Sequence, residues 1–303
     1  MITTPTAIVL GAGASIEYGF PSGYQLVQRL AIDDRNGSLT GPCAQLIALG
    51  YSETKVRAFA TALRKSGRQS VDAFLEHRPD LLEVGKAAIA IALIQHEDQF
   101  TLFKPPSGGP SLYDHLWSKM NVRPERFAQN SVKFITFNYD RSLEEYFATA
   151  LSNAYGLGES EVKDLVSGLS INHVHGTLGG HPVFSDSDTR VYRNDTPRFD
   201  VELAASSIRI IHEQNADSND FLNARATLHN VDRVFFLGFG YDATNLERLR
   251  VKSIPATTEL NGTAFGMPAP EISALQTAFG RGILLGNAHQ DAKMFLREIA
   301  PLR

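Results

Sequence analysis

Short apolar runs of strand length punctuate this chain, and they constrain its fold more than any other feature. They fall at Ala7–Leu10, Val132–Phe137, Ile171–Val174, Ile208–Ile211, Val234–Leu237 and Ile283–Leu285. A strand with one wet face alternates apolar and polar residues, whereas a strand covered on both faces of a parallel sheet is apolar throughout. Several of these runs are of the second kind, so the chain is expected to be α/β, with a parallel sheet flanked by helices.

Between the first two runs lie some 120 residues of different texture. GPCAQLIALG, SETKVRAFATALRKSG and SVDAFLEHRPDLLEVGKAAIAIALIQHE space their apolar residues three and four apart among good helix formers. They predict a mostly helical insertion over 38–125 within a single domain spanning 1–303. Turn-forming residues from Pro105 to Ser111 mark its end, and LYDHLWSKM reads as one more helix. The polar stretch from Gly180 to about Asp200 reads as a loop, either an active-site flap or a surface excursion.

Composition weighs against several classes of function. Cys43 is the only cysteine, which excludes an intramolecular disulfide and a zinc ribbon of paired cysteine knuckles. No metal is expected. The formal net charge of −4 gives no basic excess of the kind that holds nucleic acid. No apolar stretch approaches the roughly 20 residues that span a bilayer, and no signal sequence is evident, so the expected compartment is the cytoplasm.

The first apolar run ends in GAGAS. Glycines there let a phosphate approach backbone N–H groups, and a following helix N-terminus would favour its charge. Yet Ile16 stands where a dinucleotide-binding fingerprint needs its third glycine, and Asp33 and Asp34 lie in AIDDRNGSLTG with no strand before them. A dehydrogenase is therefore not indicated. A tight turn that binds nothing remains the plain alternative.

Three further segments bear on the choice: FITFNYDRSLEEYF, NHVHGTLG and FFLGFGYDATN. With GAGAS they follow one another in an order that resembles the sirtuin superfamily, and in particular the SIR2-like proteins of bacterial anti-phage defence, whose first motif continues like GFPSGYQL and which carry a helix like SVDAFLE. The likeness runs from Ile8 to about Gly266. It implies a Rossmann-like sheet, here with a helical subdomain in place of the zinc ribbon. It also implies that NAD+ is bound as substrate and cleaved to nicotinamide and ADP-ribose.

In that family's pattern Asn138 positions the nicotinamide ribose and water, Asp140 recognises the carboxamide, and His175 acts as base. Gly11, Ala12, Gly13, Ser15, Phe137, Gly176, Gly238, Gly240 and Asn245 would line the nucleotide site, with Thr263–Met267 near the adenosine end. The residue types suit the chemistry. Breaking the glycosidic bond builds positive charge on the ribose, which calls for positioning, electrostatics and a base that is neutral near pH 7.

Each residue also has a structural role open to it. Asn138 and Asp140 could cap the helix that begins near Ser142. His173, two residues before His175, could be the imidazole that matters, or both could be bonded in the core. A strand-end glycine such as Gly238 often serves only its turn.

The lone cysteine and the absence of an arginine soon after Gly19-Phe20-Pro21 depart from the deacylase branch of the superfamily. The expected activity is that of an NAD+ glycohydrolase depleting NAD+ in an abortive-infection defence. ADP-ribosyl transfer or deacylation, or a non-catalytic nucleotide sensor, are the alternatives. An effector that destroys NAD+ must be restrained, so an activating protein partner or assembly into a homo-oligomer is expected.

Overall fold

The computed structural model describes residues 1–31, 39–104, 109–210 and 218–302. Asp33, Asp34, the first part of the Pro105–Ser111 turn and Ile211 lie outside the described residues.

Six strands form one sheet: β1 (Thr6–Leu10), β2 (Val132–Thr136), β3 (Ser170–His173), β4 (Arg233–Leu237), β5 (Glu259–Gly262) and β6 (Leu284–Leu285). All are parallel, in the order β3-β2-β1-β4-β5-β6. This is the doubly wound Rossmann-like arrangement, in which the strand order reverses beside β1. All five residues of β1 and all five of β4 are buried, which is why their sequences do not alternate.

The period of two reappears in where the side chains go. Ile8 and Leu10 join one buried cluster, and Ala7 and Val9 join a second on the opposite face.

The first face is covered largely by helices that precede β2. These are α1 (Gly23–Leu30), α2 (Gly41–Ala48), α3 (Glu53–Lys65), α4 (Val71–Leu75), α5 (Leu82–Ile94), α6 (Gln99–Leu102) and α7 (Leu112–Met120). The described residues between β1 and β2 are thus largely helical, and their apolar side chains are continuous with those under the sheet. In α5, LEVGKAAIAIALI buries ten of its residues and has no polar stripe, as befits a helix enclosed by its neighbours.

Between β2 and β3 lie α8 (Ser142–Tyr155) and α9 (Glu159–Val166), and between β3 and β4 lie α10 (Arg198–Ser207) and α11 (Asn219–His229). After β4 come α12 (Ala243–Arg248), α13 (Ala269–Phe279) and α14 (Ala292–Glu298). Residues from α11, α12 and α13 supply much of the second cluster.

Two strand expectations need correction. Ile208 and Ile210 are fully buried, but they follow α10 directly, and Ile208 makes only an isolated antiparallel bridge to Gly176. Their apolar character reflects burial in the first cluster. Conversely, ELNG forms β5, although an asparagine and a glycine disguise it. The loop after β3 contains no further strand or helix before α10, as expected. It is anchored from beneath by Arg141, whose guanidinium donates to the carbonyls of Gly180 (3.0 Å) and Val191 (3.3 Å).

Candidate active site

In an open parallel sheet, ligands bind beyond the carboxyl ends of the strands where their order reverses. Here that point lies between β1 and β4, and both strands end in glycine turns. The Gly11 N–H donates to Leu237 O at 3.1 Å and the Gly13 N–H to Gly238 O at 2.9 Å. A Cβ on Gly11 would stand 2.6 Å from Gly238 O, and one on Gly13 2.8 Å from Gly238 Cα. Gly238 has φ +58°, and a Cβ there would meet Ala14 N at 2.1 Å. The glycines are therefore explained by the close crossing of two backbones.

This crossing limits what the turn can offer a phosphate. From Gly11 to Ser15, only the Ala12 N–H lacks a partner among the described residues, because Ala14 and Ser15 donate to Gly11 O and Ala12 O. Two short 3₁₀ turns follow, and α1 begins only at Gly23. Contrary to the expectation from the sequence, no α-helix N-terminus stands directly behind the glycines among the described residues.

The turn lines two spaces. Gly13 and Ala14 border a cleft of about 470 Å³ together with Gly238, Gly240, Thr263 and Phe265. Glu17, Glu271, Asp291 and Lys293 give this cleft its charges. Thr263 also holds the crossing, since its Oγ1 accepts the Gly238 N–H at 2.9 Å. Ala12 and Ser15 border a smaller cavity of about 100 Å³ with Asp72, Asn138, Tyr139 and Asp140. A larger depression of about 740 Å³ lies between α3, α5 and α10. It contains none of the expected site residues, and its polar groups include exposed ion pairs such as Arg198–Glu202, so the chemistry is better sought at the strand ends.

Asn138 lies just past β2 and ties the two central strands together. Its Nδ2 donates to Gly11 O and to Ser15 Oγ, each at 3.0 Å. Its Oδ1 accepts no hydrogen bond from the described residues, so the carbonyl end of the amide is the part left to meet a ligand.

Asp140 has the local role that its position allowed. Its Oδ1 accepts from the Ser142 N–H at 3.2 Å and from the Ser142 hydroxyl, at the start of α8. Burial raises its pKa above the usual carboxylate value, and the bonds from Ser142 and Ser15 only partly offset this.

The two histidines are distinguished by their partners. His173 Nδ1 lies 3.0 Å from Asn138 O, and Nε2 lies 2.6 Å from Glu144 Oε1, so both nitrogens are committed. Burial acts against the His173 imidazolium, but the adjacent Glu144 carboxylate more than compensates and its pKa is raised. His175 Nδ1, by contrast, is buried and makes no hydrogen bond of ordinary geometry, with the Asn245 side chain as its neighbouring polar group. Burial is the main influence on His175 and lowers its pKa; Asp72 and Asn245 favour the charged form, and Arg248 opposes it.

Aromatic rings hold the His175 imidazole in place. Phe137 and Phe221 meet it edge-on at centroid distances of 5.3 and 5.8 Å. Phe137 in turn packs against Phe239 at 4.9 Å, which links the imidazole to the β4 turn. Asn245, in α12, presents a second buried atom without a hydrogen bond of ordinary geometry, its Oδ1.

The remaining expected residues divide between these roles. Gly240 lines the cleft. Gly176 serves the chain path, because it has φ +75° and a Cβ there would strike Ser207 O. Asp72 and Tyr139 were not anticipated as site residues. Asp72 comes from the insertion helix α4, and Tyr139 Oη donates to its Oδ1. SVDAFLE had stood out only as a motif, and nothing in its spacing places a carboxylate beside β2.

Among the described residues no cluster of potential metal ligands occurs and no helix is long and apolar enough to cross a membrane. The sequence matches no protein-family model and shows no significant similarity to a curated protein.

Proposed function

We propose that the chain is an NAD+ glycohydrolase. One observation carries most weight: a buried imidazole whose Nδ1 makes no hydrogen bond of ordinary geometry, with the Asn245 side chain as its polar neighbour, follows β3 at the carboxyl end of the sheet and packs edge-on against Phe137 at the end of β2. A buried polar atom without a well-formed hydrogen bond is costly, and one at such a position marks a place for a ligand or a proton.

The reaction balances as NAD+ plus water giving nicotinamide, ADP-ribose and a proton. The bond from ribose C1′ to the nicotinamide nitrogen breaks, and its electron pair leaves with neutral nicotinamide. A water oxygen bonds to C1′, and the proton released passes to His175, whose depressed pKa keeps it neutral and receptive at pH 7. Asn138 Oδ1 is available to orient the ribose hydroxyl or the water. The two glycine turns and the adjoining cleft would carry the pyrophosphate and adenosine, with Ala12 supplying the one uncommitted N–H of its turn.

One arrangement favours a second possibility. Both amide hydrogens of Asn138 and the carboxylate of Asp140 are already used inside the protein. A nucleotide-sensing module that binds without turnover would need no more than this. ADP-ribosyl transfer would use the same bond cleavage with another nucleophile in place of water.

As an enzyme that depletes NAD+, the protein would serve as a defence effector restrained until a protein partner or self-assembly activates it. The deciding measurement is nicotinamide release from NAD+ by wild type, Asn138→Ala and His175→Ala, alone and with the product of the neighbouring gene. Wild type is expected to release nicotinamide under at least one condition, with His175→Ala lower by about 100-fold or more. Binding of NAD+ without release in both conditions would instead identify the sensor.

A further inference from the structure

The helical insertion delivers a carboxylate to the edge of the site. Asp72 is half-buried in α4 and is held at both oxygens: Tyr139 Oη donates to Oδ1, and Ser70 Oγ donates to Oδ2 at 3.3 Å. It lines the small cavity that also contains Ser15 and Asn138. The Tyr139 ring stands 6.5 Å from the His175 ring, tilted by 51°.

The charges of Asp72 on α4 and Arg248 on α12 act on this imidazole in opposite senses, with the neutral Asn245 alongside, and Arg248 is in turn under the influence of Glu76, Asp242 and Glu247; Phe137, Tyr139 and Phe221 are the rings packed around it. Arg248 is itself held over the Phe221 ring, at 5.7 Å from the centroid.

We infer that Asp72 is a positioning residue for His175, contributed by the insertion: its bond to Tyr139 fixes the ring packed beside the imidazole, and its charge offsets that of Arg248. The inference rests on His175 being the base of the proposed reaction. A base that accepts a proton becomes an imidazolium. Without Asp72, the imidazolium would lose an attractive charge while the guanidinium of Arg248, which repels it, remained.

A purely structural role for Asp72 is the competing account, since it also stands in the first turn of α4, where an acid is favourable. The two differ in what happens to the proton on His175. NMR titration of the histidine ring signals in the ligand-free protein reports this without requiring turnover. In Asp72→Asn the His175 midpoint is expected to fall by about half a pH unit or more, and in Asp72→Glu to remain near that of wild type. Tyr139→Phe keeps the carboxylate but releases it, and is expected to shift the midpoint in the same direction by less.

With NAD+ as substrate, the acid limb of the kcat profile should move with the titration while KM stays within about twofold, because Asp72 acts through the base. A shifted titration without NAD+ cleavage would support the positioning and overturn only the proposed reaction. An unchanged His175 midpoint in folded Asp72→Asn would overturn the positioning; if that variant does not fold, an unchanged midpoint in Tyr139→Phe does so.

Discussion

Gly13 donates its N–H to the carbonyl of Gly238 at 2.9 Å, and neither residue has room for a Cβ. The turns after β1 and β4 thereby interlock through backbone alone. Gly238→Ala must both adopt a positive φ and push against Ala14 N. It is expected to lose about 3 kcal/mol or more, at the upper end of single-residue effects, as read by denaturant unfolding. An alanine tolerated within about 0.5 kcal/mol would show that the crossing is looser than described.

Activity should tolerate mild acid. Burial places the His175 pKa below the ordinary 6.5, so its neutral form persists as pH falls through that value. Nicotinamide release is expected to stay level from pH 8 to about 6.5 and to decline only below it. A midpoint above pH 7 would assign the limb to another group.

The pair formed by His173 and Glu144 gives a different pH dependence, visible in stability. The folded pKa of His173 lies above 6.5, so its contribution is complete below 6.5 and disappears as pH rises through the folded value. Glu144, held down by His173 against the effect of burial, contributes fully above 4.5 and loses its contribution as pH falls through its depressed value. The difference in melting temperature between wild type and His173→Gln should therefore be largest between pH 4.5 and 6.5 and shrink on the alkaline side. Equal differences at pH 5.5 and 9 would rule out a buried ion pair.

Glu97 bridges two guanidiniums. Arg141 donates to it at 2.9 and 2.8 Å, Arg190 donates to its Oε2, and the three side chains are almost wholly buried. Glu97→Gln would leave two buried cations without their counter-charge, at a cost of about 3–5 kcal/mol. Chemical unfolding measures this directly, and a loss below about 1 kcal/mol would indicate that water reaches the pair.

Much of the sheet was legible because β1 and β4 carry the apolar continuity that burial on both faces demands, while β2 is broken only by the exposed Lys133. Asn261 and Gly262 hid β5, and Ile208 and Ile210 resembled a strand because burial alone selects the same residues. At the site, Asn138 and His175 could be placed from their positions at strand ends. The choice between His173 and His175 could not, because it depends on Glu144 reaching back from α8. Nor could the contribution of Asp72, since no local pattern records how α4 docks against Tyr139. The glycines of GAGAS suggested a phosphate cradle, yet their tightest constraint is the neighbouring turn, which becomes adjacent only when β4 joins the sheet.

The strand order also governs the sequence of events as the chain is made. β1 emerges first, yet it occupies the middle of the sheet, where Thr6 lies opposite Val132 on one side and Arg233, 227 residues later, on the other. The nascent protein must therefore carry an apolar segment whose second edge has no native partner until β4 has been translated. Such a segment invites association with other chains. A central strand made early is thus exposed at one edge until β4 pairs with it.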